Sequence, residues 1–118
     1  MDDANSYWVT AAERYLAECR LNATAVRASE FARRMKRTPE WLAREFHLAV
    51  GFRLKEFLST RQIEYAKELL RTTCRGTKQI AADSGFGTAR SFYRAFRRRT
   101  GLSPTDYRKG GRGLSPEC

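Results

Sequence analysis

Arginine is the residue best placed to do chemistry in this chain, and the chemistry is recognition of an anion. Arg90, Arg94 and Arg97 recur at steps of four and three, with Arg98 alongside. At about 100° per residue, Arg94 and Arg97 fall within about 40° of Arg90, whereas Phe92 and Phe96 lie near 200° and 240°. A helix here turns its aromatic rings inward and its guanidinium groups outward, with Ser91 and Arg98 at the edges of the stripe. A guanidinium donates two parallel hydrogen bonds to a guanine edge or to a phosphate. A second such face precedes it: Leu42 and Phe46 point inward, leaving Arg44 outward with Glu40, Trp41 and His47 beside it. The competing reading is a solvated charged surface. Against it stand the absence of acids from the Arg90 stripe, its place in a helix-turn-helix, and the positive charge around it.

Catalysis finds little material. His47 is the only histidine, so no Ser/His or Cys/His pair can form except around a residue on a helix face already accounted for. Glu64 and Glu68, one turn apart, read as the solvated side of a long helix. No glycine-rich phosphate loop follows a strand. Cys19, Cys74 and Cys118 show no C-x-x-C spacing and cannot all pair, so neither a disulfide framework nor a metal site is expected. No cofactor and no enzymatic activity are expected, and a reducing cytoplasm fits best.

The 118 residues are enough for one domain, and 42% apolar with 31% charged residues is the balance of a soluble globular chain. Apolar runs are short and Asp2 and Asp3 open the chain, so neither a signal peptide nor a membrane span is expected. The net charge of +10 is uneven: residues 1–30 carry three basic and five acidic groups, and the remainder 20 basic against 8 acidic. An excess of that size points to a polyanion. Charge alone does not separate a specific DNA-binding protein from a nonspecific nucleoid or RNA-binding one.

The elements that must carry these residues are all helical. Period-two alternation is absent, and Gly and Ser/Thr-Pro pairs punctuate segments of helical period. Ser6 to about Leu21 forms a first helix with Trp8, Ala11, Ala12, Tyr15, Leu16 and Cys19 on one stripe, followed by a loop over 22–27. Ala28 to Met35 is short, with Phe31, Ala32 and Met35 inward. Thr38-Pro39-Glu40 then combines an N-cap hydroxyl, a proline at the first helical position and an acid in the first turn, and Gly51 stops that helix. From about Phe52 to Leu70 a helix of some nineteen residues follows, about 28 Å long. A short helix with Ile80, Ala81 and Ala82, a turn at Gly85-Phe86-Gly87, a helix from Thr88 to Thr100, and a last one capped at Ser103-Pro104 complete the chain. The expected fold is therefore all-α, about seven helices in two helix-turn-helix units joined by a long connecting helix.

The unit of short helix, tight turn and longer helix thus occurs twice. Ala32 and Ala81 allow close helix approach, and Phe46 and Phe96 fill matching places. The expected division is a helix and loop at 1–27 packing on the first unit, the first unit at 28–51, the connecting helix at 52–72, the second unit with its terminal helix at 73–109, and a flexible tail at 110–118. A rod of about 28 Å, extended by the width of the packed units, approaches the 34–36 Å between successive major-groove openings. One monomer is expected to occupy two adjacent grooves.

The run Ile80-Ala81-Ala82-Asp83-Ser84-Gly85-Phe86, then Ser91-Phe92-Tyr93-Arg94-Ala95-Phe96-Arg97-Arg98, then Thr100-Gly101-Leu102-Ser103-Pro104 with Tyr107-Arg108, resembles the signature of AraC/XylS-type transcription regulators. Pro39 to Phe46 with Gly51, and Arg61 to Leu70, are similar to that family's first unit and connecting helix, so the likeness covers about residues 28–109. It implies a sequence-specific regulator of promoters, usually an activator that contacts RNA polymerase. By position it places base contacts at Glu40, Trp41, Ala43 and Arg44 in the first unit and at Ala89, Arg90, Ser91 and Arg94 in the second. Phosphate contacts are expected from His47, Arg97 and Arg98. Three positions depart from the pattern: Arg37 replaces a usual apolar turn residue, and Arg27 and Gly76 replace capping serines, changes expected to loosen the first helix of each unit.

Many members carry a large effector-binding or dimerisation domain, for which the residues before Ala28 have no room. With Met1 as the start, the chain resembles single-domain members, without a small-molecule effector domain and controlled by abundance in a bacterial cytoplasm, on the nucleoid. A rival is a fragment of an alkylation-repair regulator using Cys74 as methyl acceptor. Cys74 lacks the neighbouring cysteines that would make it a thiolate.

Overall fold

The computed structural model describes residues 3–110, which form seven α-helices and no strand. They are α1 (Asp3–Asn22), α2 (Ala28–Arg34), α3 (Pro39–Val50), α4 (Leu54–Thr72), α5 (Thr77–Asp83), α6 (Ala89–Thr100) and α7 (Pro104–Gly110). Gly110 ends α7 and does not begin a tail; the rest of the expected tail, 111–118, lies outside the described residues. α1 starts earlier than the Ser6 expected from its apolar stripe. α4 starts later than expected, because Gly51 at φ 92° leaves Phe52 in the turn, 63% exposed.

The two longer helices of the paired units begin and end by the same local chemistry. The Thr38 hydroxyl accepts from the Trp41 N–H at 3.1 Å and the Thr88 hydroxyl accepts from the Ser91 N–H at 3.0 Å, each satisfying a donor the helix start leaves orphaned. Both helices end at a left-handed glycine, Gly51 and Gly101. α6 also gathers Arg97, Arg98 and Arg99 in its last turn, where the helix dipole favours cations. α2 and α5 start at Arg27 and Gly76 with no side-chain cap, yet both reach seven residues. Packing of Phe31 and Ala32, and of Ile80 and Ala81, holds them in place of the missing caps.

Burial divides into two clusters. The first joins Tyr15, Leu16 and Cys19 of α1 to Phe31, Leu42 and Phe46, closed by Leu54 and Leu58 at the start of α4. The second joins Ile63, Ala66, Leu69 and Leu70 of α4 to Ile80, Ala81, Phe92 and Phe96. α4 is therefore the common wall, and it touches α1, α3, α5, α6 and α7. Its seam is polar: Gln62, 6% exposed, donates to the Ser84 carbonyl at 3.1 Å, satisfying a buried amide that would otherwise be costly. Beside it the Val26 N–H donates to the Gly85 carbonyl at 2.8 Å, so the loop after α1 fastens the first unit to the turn of the second. The molecule is elongated, 45 × 27 × 21 Å.

Two buried groups of α1 set the entry into α2. The Tyr15 hydroxyl accepts from the Arg27 N–H, and an oxygen contact of 3.1 Å joins it to the Arg27 carbonyl as donor. Its ring stacks on Phe31 at 5.2 Å, and burial pushes its pKa up to about 12. Cys19 is buried and free. Cys74 is disulfide-bonded.

Candidate nucleic-acid interface

The α6 face matches its helical wheel. Phe92 and Phe96 are fully buried, their rings 5.6 Å apart edge to face, while Arg90, Arg94, Arg97 and Arg98 are exposed. None of these four arginines forms an ion pair with another described residue. Ser91 is exposed, but its hydroxyl is engaged by Thr88 at 3.0 Å, and Ala89 is half-buried. Tyr93, at the edge of the face, shares a 2.8 Å hydrogen bond with Thr77 that ties α6 to the start of α5.

The α3 face carries less charge. Glu40, Ala43, Arg44 and His47 are exposed, and Arg44 lies 3.9 Å from Glu45. Trp41 departs from the outward reading. It is half-buried against the first core, with its ring 6.2 Å from Trp8 of α1 in an edge contact. The Arg37 guanidinium lies 4.9 Å above the same ring. Sequence reasoning registered Arg37 only as a departure from the family and missed it as a surface residue of this face. The available signal was an arginine just before the N-cap with an aromatic ring four residues on.

Superposing the caps puts the two units in one register. Thr38, Leu42, Phe46 and Gly51 correspond to Thr88, Phe92, Phe96 and Gly101. The outward pairs are then Glu40 with Arg90, Ala43 with Tyr93, Arg44 with Arg94, His47 with Arg97 and Leu48 with Arg98. The turns match as well: Arg37 N–H returns to the Ala32 carbonyl at 3.0 Å and Phe86 N–H to the Ala81 carbonyl at 2.9 Å. Phe86 packs 5.4 Å from Phe92, whereas Arg37 sits out over Trp41.

Glu13, Glu18 and Glu30 of the amino-terminal region are matched within the fold. Glu18 pairs with Arg34, Glu13 with Arg61 at 2.9 Å, and Glu30 with both Arg33 and Arg34, whose hydrogen bonds hold its carboxyl below the usual range. The arginines of α6 keep their charge for a ligand. Unpaired guanidinium groups beside a buried aromatic base suit phosphates and base edges, not bond making.

Comparison with known proteins agrees. A helix-turn-helix domain family matches residues 31–110. HTH-type transcriptional regulator Rv1931c of Mycobacterium tuberculosis is 38% identical over 85 residues, covering 72% of this chain and 33% of that protein, so the chain spans about a third of its relative's length. The C-terminal domain of AraT, a response regulator from Geobacillus stearothermophilus, superposes with a TM-score of 0.74 at 24% identity, over 92% of this chain and 90% of that one. The DNA-binding domain of AdpA, a global transcriptional factor solved in complex with a target DNA, gives 0.70 at 23% identity, over 83% and 89%. At such identities these two structures show a shared fold. With the family match over most of the chain, the conclusion is that this protein belongs to the AraC-type helix-turn-helix family of DNA-binding transcription regulators.

Proposed function

We propose that the chain reads an asymmetric duplex site as a monomer, with α3 and α6 in successive major grooves on one face of the DNA. The observation that carries this reading is the common register of α3 and α6 on the two ends of α4, with arginines turned outward and unpaired on α6. The 45 Å long axis accommodates contacts 34–36 Å apart. Arg90 and Arg94 read guanine O6 and N7, and Arg44 does the same from α3. Glu40 accepts from a cytosine amino group, Ala43 and Ala89 meet thymine methyls, and the Ser91 hydroxyl and the free edge of Trp41 complete the reading surface. His47, Arg97 and Arg98 hold phosphates. The regulator acts at promoters in the bacterial cytoplasm, bound to the nucleoid, and activates transcription through RNA polymerase.

Selection from random duplex DNA tests this. The expected product is a non-palindromic site of two blocks about one helical turn apart. Arg94→Ala is expected to narrow the preference for that site over random duplex by about 1–3 kcal/mol. Equal loss on both DNAs would reduce Arg94 to a phosphate contact, and no enriched site would leave only nonspecific binding.

A further inference from the structure

A notch lies beside the first unit, where the starts of α2 and α3 meet α4. It is an open groove of about 450 Å³ lined by Arg27 and Ser29 at the start of α2, Pro39 at the start of α3, and Lys55, Ser59 and Gln62 of α4. No acid lines it. On α4, Ser59 and Gln62 lie within about 40° of Lys55, while Glu56, Glu64 and Glu68 fall near 100°, 180° and 220°. The connecting helix thus turns every acid away from the notch and its one cation there into it. Glu64 and Glu68 are further occupied by Lys67 and Arg71 on the far side.

Arg27 stands just before α2 and reaches toward the start of α6. Its backbone is fixed by Tyr15. Its guanidinium reaches Gly87, the residue before the cap of α6, where a Cβ would lie 3.9 Å from Nη2. Neither Arg27 nor Lys55 pairs with an acid among the described residues, and both are exposed. Glu30, the acid nearest Arg27 in sequence, is held by Arg33 and Arg34. Two free cations and two hydroxyls therefore line a concave surface flanked by the starts of α3 and α6. When two helices enter successive major grooves, the sugar-phosphate backbone bordering the intervening minor groove passes between them.

We propose that this notch is a phosphate saddle, in which Arg27 and Lys55, assisted by Ser29 and Ser59, grip the DNA backbone that crosses between the two major-groove segments. The proposal rests on the two-groove reading above and adds a sequence-independent anchor at its centre. The test measures affinity against salt for the selected site and for random duplex, with the full chain and with Arg27→Gln/Lys55→Gln. Each lost phosphate contact lowers the slope of log K against log salt by about 0.9, so the double variant should lose about 1.8 and Lys55→Gln alone about 0.9. The loss should be equal on both DNAs, and ethylation of phosphates between the two blocks should hinder the parent protein and no longer hinder the double variant. Both side chains are exposed, so unchanged melting temperatures are expected. An unchanged slope with the two-block site intact would overturn the saddle and leave the two-groove reading standing. A parent protein that protects only one groove would overturn both.

Discussion

Thr38 to Gly51 and Thr88 to Gly101 are one frame carried twice, and the two copies face outward with different charge. α3 holds one arginine and two glutamates, whereas α6 holds five arginines and no acid. What the copies share is inward or terminal: a threonine cap, an apolar residue four positions on, phenylalanine eight on, and a left-handed glycine that stops the helix. What differs, apart from the arginine common to Arg44 and Arg94, is what can touch a ligand. The fold needs only the shared set, so the outer positions are free to divide the work. α6 supplies attraction to the polyanion, and α3, nearly neutral, is left to discriminate by fit.

The largest effect should come from the shared set. Phe96→Ala removes a fully buried ring from the second core and is expected to cost about 3–5 kcal/mol. Hydrogen exchange should then show α5 to α7 losing protection before α1 to α3, since the two cores are separate clusters joined mainly along α4. Uniform loss would mean the copies unfold as one. Alkaline pH should strike the first core instead. Folded Tyr15 keeps its proton to about 12 while an unfolded tyrosine releases it near 10. Stability is therefore full below pH 10 and declines as pH rises toward 12, by at most about 2–3 kcal/mol, and Tyr15→Phe should flatten that decline in urea titrations.

The turns offer a sharper contrast. Lys36 and Gly85 hold matching left-handed positions, at φ 62° and 88°. A Cβ on Gly85 would stand 2.6 Å from Cγ2 of Val26. Gly85→Ala should therefore cost at least about 1–3 kcal/mol, whereas Lys36→Gly should leave stability unchanged or raise it by about 1 kcal/mol as backbone strain is relieved. Comparable losses in both variants would show that the turns are not equivalent. Glu40→Arg makes α3 resemble α6 at its first reading position. It should raise affinity for random duplex and steepen the salt slope by up to about 0.9, read by fluorescence anisotropy. The smallest change, Gly76→Ser, restores a cap to α5 in open space and should gain a few tenths of a kcal/mol in melting experiments.

The caps, the inward pairs Leu42/Phe46 and Phe92/Phe96, and the arginine stripe were legible because each is a local pattern of helical period. Contacts between elements were not. Trp41 sits at the edge of its helix's apolar stripe, and only the arrival of Trp8 from α1 draws it halfway in. Gln62 looks like a solvent residue, yet its amide meets a carbonyl 22 residues later in the seam between the cores. Arg27 appears in sequence as a missing cap, and its place between the starts of α3 and α6 emerges only when the loop is fastened by Val26 and Tyr15.

Guanine N7 lies in the major groove, so its protection from methylation on the selected site reports where α3 and α6 enter the DNA. Two protected clusters are expected about one turn apart on the same face. The stronger lies under α6 and disappears with Arg90→Ala/Arg94→Ala, while the cluster under α3 persists at higher protein concentration. A single protected cluster, or two that vanish together at every concentration, would contradict the view that one helix holds two independent reading heads at the pitch of the duplex.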